Sequence, residues 1–227
     1  QAARLTADAD PDVPRQPIDA ESSSSFVDST WEVPRILDSD RIRFYAQLRA
    51  LPALGYRTYR IEAEQEELRQ NSTMITGPRT MENESLAVEV NADGTVDLTC
   101  KKTGRVYQNL NYLRDEGESG NAWRHAAPTH DRMYATLGSV QASVSVATSG
   151  PLVSEISAQF TFHVPRDYGD GDTRSNEHVP LPVRVTYRLE RGARALRIRV
   201  NLTNNALDHW LRACFPTGLE TDHSIAD

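Results

Sequence analysis

The sequence Pro182-Val-Arg-Val-Thr-Tyr-Arg-Leu189 alternates apolar and polar residues, and the same alternation recurs in Gln141–Val146, Glu155–Phe162 and Ala195–Leu202. A period of two places the apolar side chains on one face, which is typical of strands that are buried on that face. Consecutive stretches of this kind, joined by turn residues, predict an antiparallel β-sandwich with almost no helix.

Shorter strands are predicted upstream of these four. Leu86–Val90 and Val96–Cys100 flank Asn91-Ala-Asp-Gly94, in which Asp-Gly supplies the positive φ that a hairpin turn favours. Asn109–Met133 has little periodicity and is predicted to be a long loop, of the kind that is usually functional or disordered. We therefore place the large sandwich at residues 81–227.

The N-terminal third has a different character. Residues 1–30 are polar and interrupted by prolines, so we predict an irregular segment. Residues 31–63 are predicted to form a small β unit, because Arg41–Leu48 and Tyr56–Ile61 alternate. The charged residues 64–80 would then form a linker to the sandwich.

Composition excludes several kinds of partner. The 25 basic and 32 acidic residues give a formal net charge of −7, which disfavours non-specific binding to nucleic acid or to acidic lipid. No apolar run approaches the roughly 18 residues that a membrane-spanning helix needs. We therefore expect neither nucleic acid nor membrane as a partner. The arginine- and alanine-rich, lysine-poor composition favours a bacterial, cytoplasmic protein. Cys100 and Cys214 fall in predicted strands and are expected to be reduced core residues.

Several segments, taken in order, resemble one family. They are Phe44-Tyr-Ala46, Leu51-Pro-Ala-Leu-Gly-Tyr-Arg-Thr-Tyr59, Met81-Glu-Asn-Glu84, Glu89–Thr95, Lys102–Tyr107 and Asp208–Thr217. Together they resemble the C-terminal β region of glycoside hydrolase family 38, the retaining α-mannosidases. The resemblance covers roughly residues 40–227. It implies a supersandwich of the galactose-mutarotase type, incomplete at its C-terminal end, within a longer protein.

The resemblance also implies that catalysis takes place elsewhere in that protein. Family members carry an N-terminal catalytic domain in which two histidines and two aspartates hold zinc, one aspartate being the nucleophile. A retaining mechanism needs two carboxyl groups about 5–5.5 Å apart. We find none of these motifs, so we assign no catalytic residue, metal ligand or cofactor to this chain. Zinc is expected in the catalytic domain of the parent. That domain and a mannose-containing glycan are the implied partners.

One loop is implied to reach the sugar pocket. Family members carry an aromatic residue, usually Tyr, in a glycine-containing loop that matches Gly117–His125, and Trp123 occupies its position. This chain has Gly120-Asn121 where the family more often has Gly-Asp. Trp123 lacks the tyrosine hydroxyl but can stack on a pyranose ring. The alternative is that Trp123 fills a contact within the loop.

Two clusters carry ligand-type side chains without the spacing that a metal site requires. His125, His130 and Asp131 lie in one irregular segment, whereas a zinc site needs defined spacing and a supporting shell. Asp167, Asp170 and Asp172 resemble part of a calcium loop, but His178 stands where such a loop needs a bidentate Glu. We expect ordinary polar roles for both clusters.

A third group of acids could form a catalytic carboxylate pair, either Glu116 with Glu118 or Asp115 with Glu116. Adjacent acids in a loop are more often surface charges, which is the role that we expect for them.

The segment Asp208–Thr217 contains His209 and alternates like a strand. We expect Leu211 and Phe215 to pack in the structure, and Arg212 to pair with a carboxylate.

The leading hypothesis is a non-catalytic β-sandwich portion of a retaining, zinc-dependent α-mannosidase. An independent carbohydrate-binding module is the alternative, and it predicts a line of exposed aromatic side chains on one sheet face. A third hypothesis borrows from sandwiches that open sugar rings with a His and a Glu, here His163 and Glu155. An exposed edge of the incomplete sandwich also makes a homo-oligomer possible.

Overall fold

A computed structural model of the chain describes residues 2–7, 13–28, 33–64, 72–120, 123–169 and 172–220. The regular structure in these ranges is entirely β, as predicted, and none of them contains a helix able to cross a membrane. The chain divides into two compact units. Unit 1 comprises Gln1–Thr73 with Gly150–Val153, and unit 2 comprises Met74–Ser149 with Ser154–Asp227. The domain boundaries proposed from the sequence stay predictions.

Unit 1 contains two antiparallel pairs of strands. Strand β1 (Ala2–Thr6) pairs with β4 (Arg60–Glu64), and β2 (Arg15–Val27) pairs with β3 (Arg35–Ala46). Gln16 is buried, and its side-chain amide bonds to the backbone of Leu152 and Val153.

The prediction of an irregular segment at residues 1–30 is therefore wrong for β1 and β2. Polar composition did not prevent a strand, because the serines of β2 have partners on β3. Ser22 donates to Asp40 at 2.7 Å, and Ser24 donates to Asp38 at 2.5 Å. Cross-strand hydrogen bonds of this kind stabilise the polar centre of the ribbon.

The first sheet of unit 2 is a five-stranded antiparallel meander. It comprises β5 (Ile75–Gly77), β6 (Thr80–Glu82), β7 (Leu86–Val90), β8 (Val96–Cys100) and β9 (Val106–Leu110). The predicted hairpin between β7 and β8 is confirmed, and Gly94 takes a φ of +82° in its turn.

The second sheet contains the four long alternating stretches. Its strands are β12 (Ser143–Thr148), β13 (Val153–Pro165), β14 (His178–Glu190) and β15 (Arg197–Leu202), in that spatial order. On β14 every second residue from Leu181 to Leu189 is buried, as the alternation predicted.

One hydrophobic core joins the two sheets. Val90 and Val96 of the meander belong to the same buried cluster as Ile156, Val164 and Leu181 of the second sheet. This is the sandwich predicted from the sequence. Cys100 and Cys214 are free thiols as expected, although both are half-buried and not deep in the core.

A third sheet has the order β11–β10–β16 and comprises β10 (Tyr112–Gly117), β11 (Tyr134–Ala135) and β16 (His209–Cys214). Strand β10 lies within the stretch that we predicted to be a long loop, so that prediction is wrong for residues 112–117. The buried positions of β10 are Leu113, Asp115 and Gly117. Two of these three buried positions hold an acid and a glycine, so a search for alternating apolar residues did not detect the strand.

Candidate functional site

The candidate site is built on the pairing of β10 with β16. Their register places Glu116 opposite Trp210 and Gly117 opposite His209. Because side chains alternate across a strand, Asp115 lies on the inner face while Glu116 lies on the outer face. The two faces carry different groups.

The inner face holds a buried ion cluster around Asp115, which is 0% exposed. One carboxylate oxygen accepts from Nη2 of Arg174 at 2.5 Å, and the other lies 2.5 Å from Nδ1 of His209. Nε2 of His209 lies 3.1 Å from Oδ1 of Asn204. The cluster therefore joins β10, β16 and the loop that precedes β14.

The outer face carries a cationic and aromatic stack. Glu116 pairs with Arg114 and with Nη2 of Arg212 at 2.5 Å. The guanidinium of Arg212 lies 3.9 Å from the centroid of the Trp210 ring, and the ring of His125 lies 4.0 Å from that ring. Trp210 is thus in contact with a cation and with an imidazole, and 37% of it remains exposed.

A loop closed by Glu118 presents Trp123. Oε1 of Glu118 accepts from the backbone N–H of Gly120 at 2.7 Å and of Ala126 at 2.9 Å, and Oε2 contacts His125. The hydrogen bond from the Ala126 N–H, and after it the contact with His125, lowers the pKa of Glu118 below its ordinary value. Trp123 lies between these anchors and is 94% exposed, so its ring is not packed inside the loop.

Asp172 joins this loop to the loop that precedes β14. One of its oxygens accepts from the backbone N–H of Thr129 at 3.0 Å and from the Thr129 hydroxyl, and the other accepts from the hydroxyl of Tyr168. The Thr129 hydroxyl, followed by that of Tyr168, lowers the pKa of Asp172. These bonds support the loop that carries Trp123.

The three acids of this region have structural partners. Asp115 is buried between a guanidinium and an imidazole, Glu116 lies between two arginines, and Glu118 accepts backbone hydrogen bonds. Asp115 and Glu116 also point to opposite faces of one sheet. These acids therefore hold strands and loops together. A glycosidase instead needs two carboxyl groups that face one sugar.

The residues weighed as metal ligands in the sequence have other partners. His125 contacts Glu118, Asp131 accepts from the backbone N–H of Gly117 at 3.0 Å, and the backbone of His130 bonds to Asp172. Within the described ranges no group of three or more His, Cys, Asp or Glu side chains is placed to hold a metal ion. Asp170, from the segment compared with a calcium loop, lies outside the described residues.

Three further sequence predictions concern β16 and the residue that follows it, and two of them are confirmed. Arg212 pairs with a carboxylate, as expected, and Leu211 packs against the core. Phe215 does not pack, because it lies beyond the end of the strand and is 49% exposed. Trp210 was missed, although its position two residues before Arg212 placed both on one strand face.

The hypothesis that His163 and Glu155 open a sugar ring is wrong, because the two residues lie too far apart to act on one sugar. His163 and Glu155 lie on the same strand, eight residues apart. An extended strand rises about 3.3 Å per residue, so roughly 26 Å separates them. Glu155 is also paired with Arg188.

The four-stranded sheet carries a depression of about 590 Å³ on its outer face. Its exposed lining includes the polar residues Gln159, Thr161, Arg184 and Asn201 together with the apolar residues Pro182 and Leu202. Phe160, the aromatic residue in its lining, packs against the core. The line of exposed aromatic residues that a binding module predicts is not present on this face.

Comparison with known proteins identifies the family. The sequence model described as Glycosyl hydrolases family 38 C-terminal domain matches residues 81–227. This chain belongs to glycosyl hydrolase family 38. The family 38 chain is 27% identical over 194 residues to a Halalkalibacterium halodurans protein named "Putative mannosylglycerate hydrolase". That match covers 77% of the chain and 21% of the relative.

Two solved structures share the fold of this family 38 chain. An α-mannosidase from Enterococcus faecalis V583 matches with a TM-score of 0.80 at 17% identity, over 97% of this chain and 27% of that one. A glycosyl hydrolase family 38 protein from Enterococcus faecalis matches with a TM-score of 0.80 at 18% identity, over 97% and 28%. The chain therefore spans about a quarter of these structures.

Proposed function

We propose that this chain is the non-catalytic β-sandwich portion of a retaining, zinc-dependent α-mannosidase. In the parent its loop at residues 117–126 lines the sugar pocket, and Trp123 stacks on a pyranose ring. Family membership supports a glycoside hydrolase parent. The substrate class is supported by two similar proteins whose names refer to mannose chemistry, the bacterial relative and the α-mannosidase of known structure.

The main support for a sugar contact by the loop is the exposure of Trp123. A tryptophan that is 94% exposed leaves a large apolar ring in water, whereas the loop around it is anchored by Glu118 and supported through Asp131. An aromatic ring held on an anchored loop suits contact with a sugar, since stacking requires a ring whose position is set before binding.

Zinc does not fit the described part of this chain, where no suitable ligand group occurs. We assign zinc and the attacking carboxylate to the parent's catalytic domain and derive no step through them here. The role of this chain is to bind and orient the sugar against that domain. Positioning of this kind lowers the barrier by fixing the reacting geometry.

Replacement of Trp123 by Ala in the full-length enzyme tests the loop. We expect kcat/KM for an α-mannoside to fall roughly tenfold, because a stacking contact contributes about 1–1.5 kcal/mol. Trp123→Phe should recover most of the loss. Tyr56 is 90% exposed in unit 1 and provides a matched aromatic control, so Tyr56→Ala should leave kcat/KM unchanged. An unchanged kcat/KM in Trp123→Ala would remove the residue from the pocket.

The alternative of an independent carbohydrate-binding module has one observation in its favour, the depression on the outer face of the four-stranded sheet. Titration calorimetry of the 227-residue chain with manno-oligosaccharides distinguishes the two. Millimolar or tighter binding that is lost in Arg184→Ala and retained in Trp123→Ala would favour the module.

A further inference from the structure

The loop at residues 117–126 is closed by bonds that lie within it. Glu118 accepts from two backbone N–H groups of the loop and contacts His125, which also belongs to the loop. Bonds of this kind fix the shape of a loop, but they do not fix its orientation relative to the sheet that carries it. The direction in which Trp123 points therefore depends on contacts between the loop and the neighbouring strands.

Strand β16 and the residue before it contact both ends of the loop. At the start of the loop the N–H of Glu118 donates to the carbonyl of Asp208 at 2.9 Å. At its end the ring of His125 packs on the ring of Trp210, with the two centroids 4.0 Å apart and the planes inclined by 43°. Because His125 lies only two residues after Trp123, the contact with Trp210 fixes the part of the loop that carries the exposed indole.

Trp210 is in turn held by a side chain of its own strand. The guanidinium of Arg212 lies 3.9 Å from the centroid of the Trp210 ring and pairs with Glu116 of the neighbouring strand. A guanidinium over an indole ring is attracted by the negative face of that ring. Arg212 follows Trp210 on the strand, whereas the loop leaves the sheet at the residue pair before Trp210, so the two contacts come from opposite directions. The indole therefore connects the sheet to the loop.

We propose that Trp210 is a positioning residue for the sugar contact, and that through His125 it orients the loop so that Trp123 faces the pyranose ring. Trp210 acts through the loop and makes no contact with the sugar. The inference rests on the proposed function, because it concerns how Trp123 is presented. A ring that is held in place before binding loses less conformational freedom when the sugar binds, so a contact that never touches the sugar still raises affinity.

Hydrogen exchange of the 227-residue chain tests the positioning without reference to catalysis. Trp210→Leu and His125→Asn should each speed exchange at residues 117–126 about threefold or more, because each removes the ring contact while the Asn amide keeps a donor near Nδ1. Trp210→Phe keeps an aromatic face and should retain most of the protection. Tyr107→Leu is the control, since it removes a similar contact with Arg105, 4.9 Å away, and should leave exchange in the loop unchanged.

Kinetics of the full-length enzyme connect this positioning to the sugar. Trp210→Leu should lower kcat/KM for an α-mannoside about fivefold, somewhat less than the loss of the stacking ring itself. Trp210→Phe should restore most of the loss, and Tyr107→Leu should cause none. In an enzyme that already carries Trp123→Ala, Trp210→Leu should have no further effect, because it acts only through Trp123. Circular dichroism establishes that each variant remains folded.

The positioning role and the proposed function fail in different measurements. An unchanged kcat/KM in Trp123→Ala would remove the sugar contact, and exchange in the 227-residue chain would still decide whether Trp210 orients the loop. A loss in Trp123→Ala together with full activity in Trp210→Leu would overturn the positioning role alone. Loop exchange that is indifferent to Trp210→Leu, or losses that add in the double variant, would overturn it as well.

Discussion

At the scale of single residues, Asp115 shows how this fold accommodates a buried charge. Its position on β10 faces inward, where strand alternation calls for an apolar residue. Arg174, with a side chain 4% exposed, and His209, with a side chain 6% exposed, supply its partners. Removing one partner of a buried ion pair leaves an uncompensated charge, which costs more than the intact pair contributes.

Asp115→Asn should therefore lower the free energy of unfolding by about 3–5 kcal/mol, because the Arg174 guanidinium loses its charged acceptor. Urea unfolding followed by circular dichroism measures the change. Glu190→Gln is the control, since Glu190 pairs with Arg188 and Arg197 at a partly exposed site and should cost at most about 1 kcal/mol. Equal costs for the two variants would contradict a buried charge cluster.

Asp93 gives stability a dependence on pH. Burial acts to raise its pKa, but hydrogen bonds from the N–H of Gly138 and from the hydroxyl and N–H of Thr95 outweigh burial, so the pKa lies below its ordinary value. A carboxyl whose pKa is lowered by folding stabilises the fold above its unfolded pKa of about 3.9, and this stabilisation is lost as pH falls through the lower folded value.

Asp93→Asn removes this titration. The difference in unfolding free energy between wild type and Asp93→Asn should be greatest near neutral pH and should shrink below about pH 4. Urea titrations at a series of pH values measure it. A difference that stays constant down to about pH 2 would show that the Asp93 carboxylate does not carry the effect.

At the scale of elements, the β7–β8 turn depends on Gly94. A Cβ at this position would lie 2.8 Å from the ring of Phe160, and its φ of +82° is one that other residues rarely adopt. Gly104 shares the positive φ, at +70°, but a Cβ there would have no neighbour within 4 Å. A comparison of the two positions therefore distinguishes the cost of backbone strain from the cost of steric overlap.

Gly104→Ala should cost about 1 kcal/mol from the backbone alone, whereas Gly94→Ala should cost about 2–4 kcal/mol because overlap with Phe160 is added. Thermal unfolding of both variants measures the difference. Costs that agree within error would mean that Phe160 moves aside freely.

The same scale shows where sequence patterns succeed and fail. The Asp-Gly signal and the flanking alternation of β7 and β8 were sufficient, since local turn chemistry and burial agree there. Strand β2 could not be predicted from its serines, because Ser22 and Ser24 depend on Asp40 and Asp38 of another strand. Pairing between two strands is not encoded in local propensity.

At the scale of the whole molecule, the chain spans 21% of its curated relative and about a quarter of the solved structures it matches. The candidate acids Asp115, Glu116 and Glu118 are all engaged in ion pairs or backbone hydrogen bonds. We therefore expect the catalytic carboxyl groups of the parent to lie outside these residues.

The purified 227-residue chain should release no mannose from an aryl α-mannoside above the buffer rate. A discontinuous assay at high protein concentration, with the full-length enzyme as positive control, measures this. Activity that persists after a second purification and disappears in Glu118→Gln would contradict a purely supporting role.

The sequence by itself determined the sandwich and the family, because period-two burial and turn residues are local signals and motif order survives divergence. It also singled out Trp123 as the residue that would contact the sugar, and this role stays a prediction. Only the tertiary structure decided that Asp115 is neutralised by Arg174, 59 residues away, and that Trp210 contacts His125. Such contacts depend on which strands become neighbours, and distant side chains meet only after the sheets have formed.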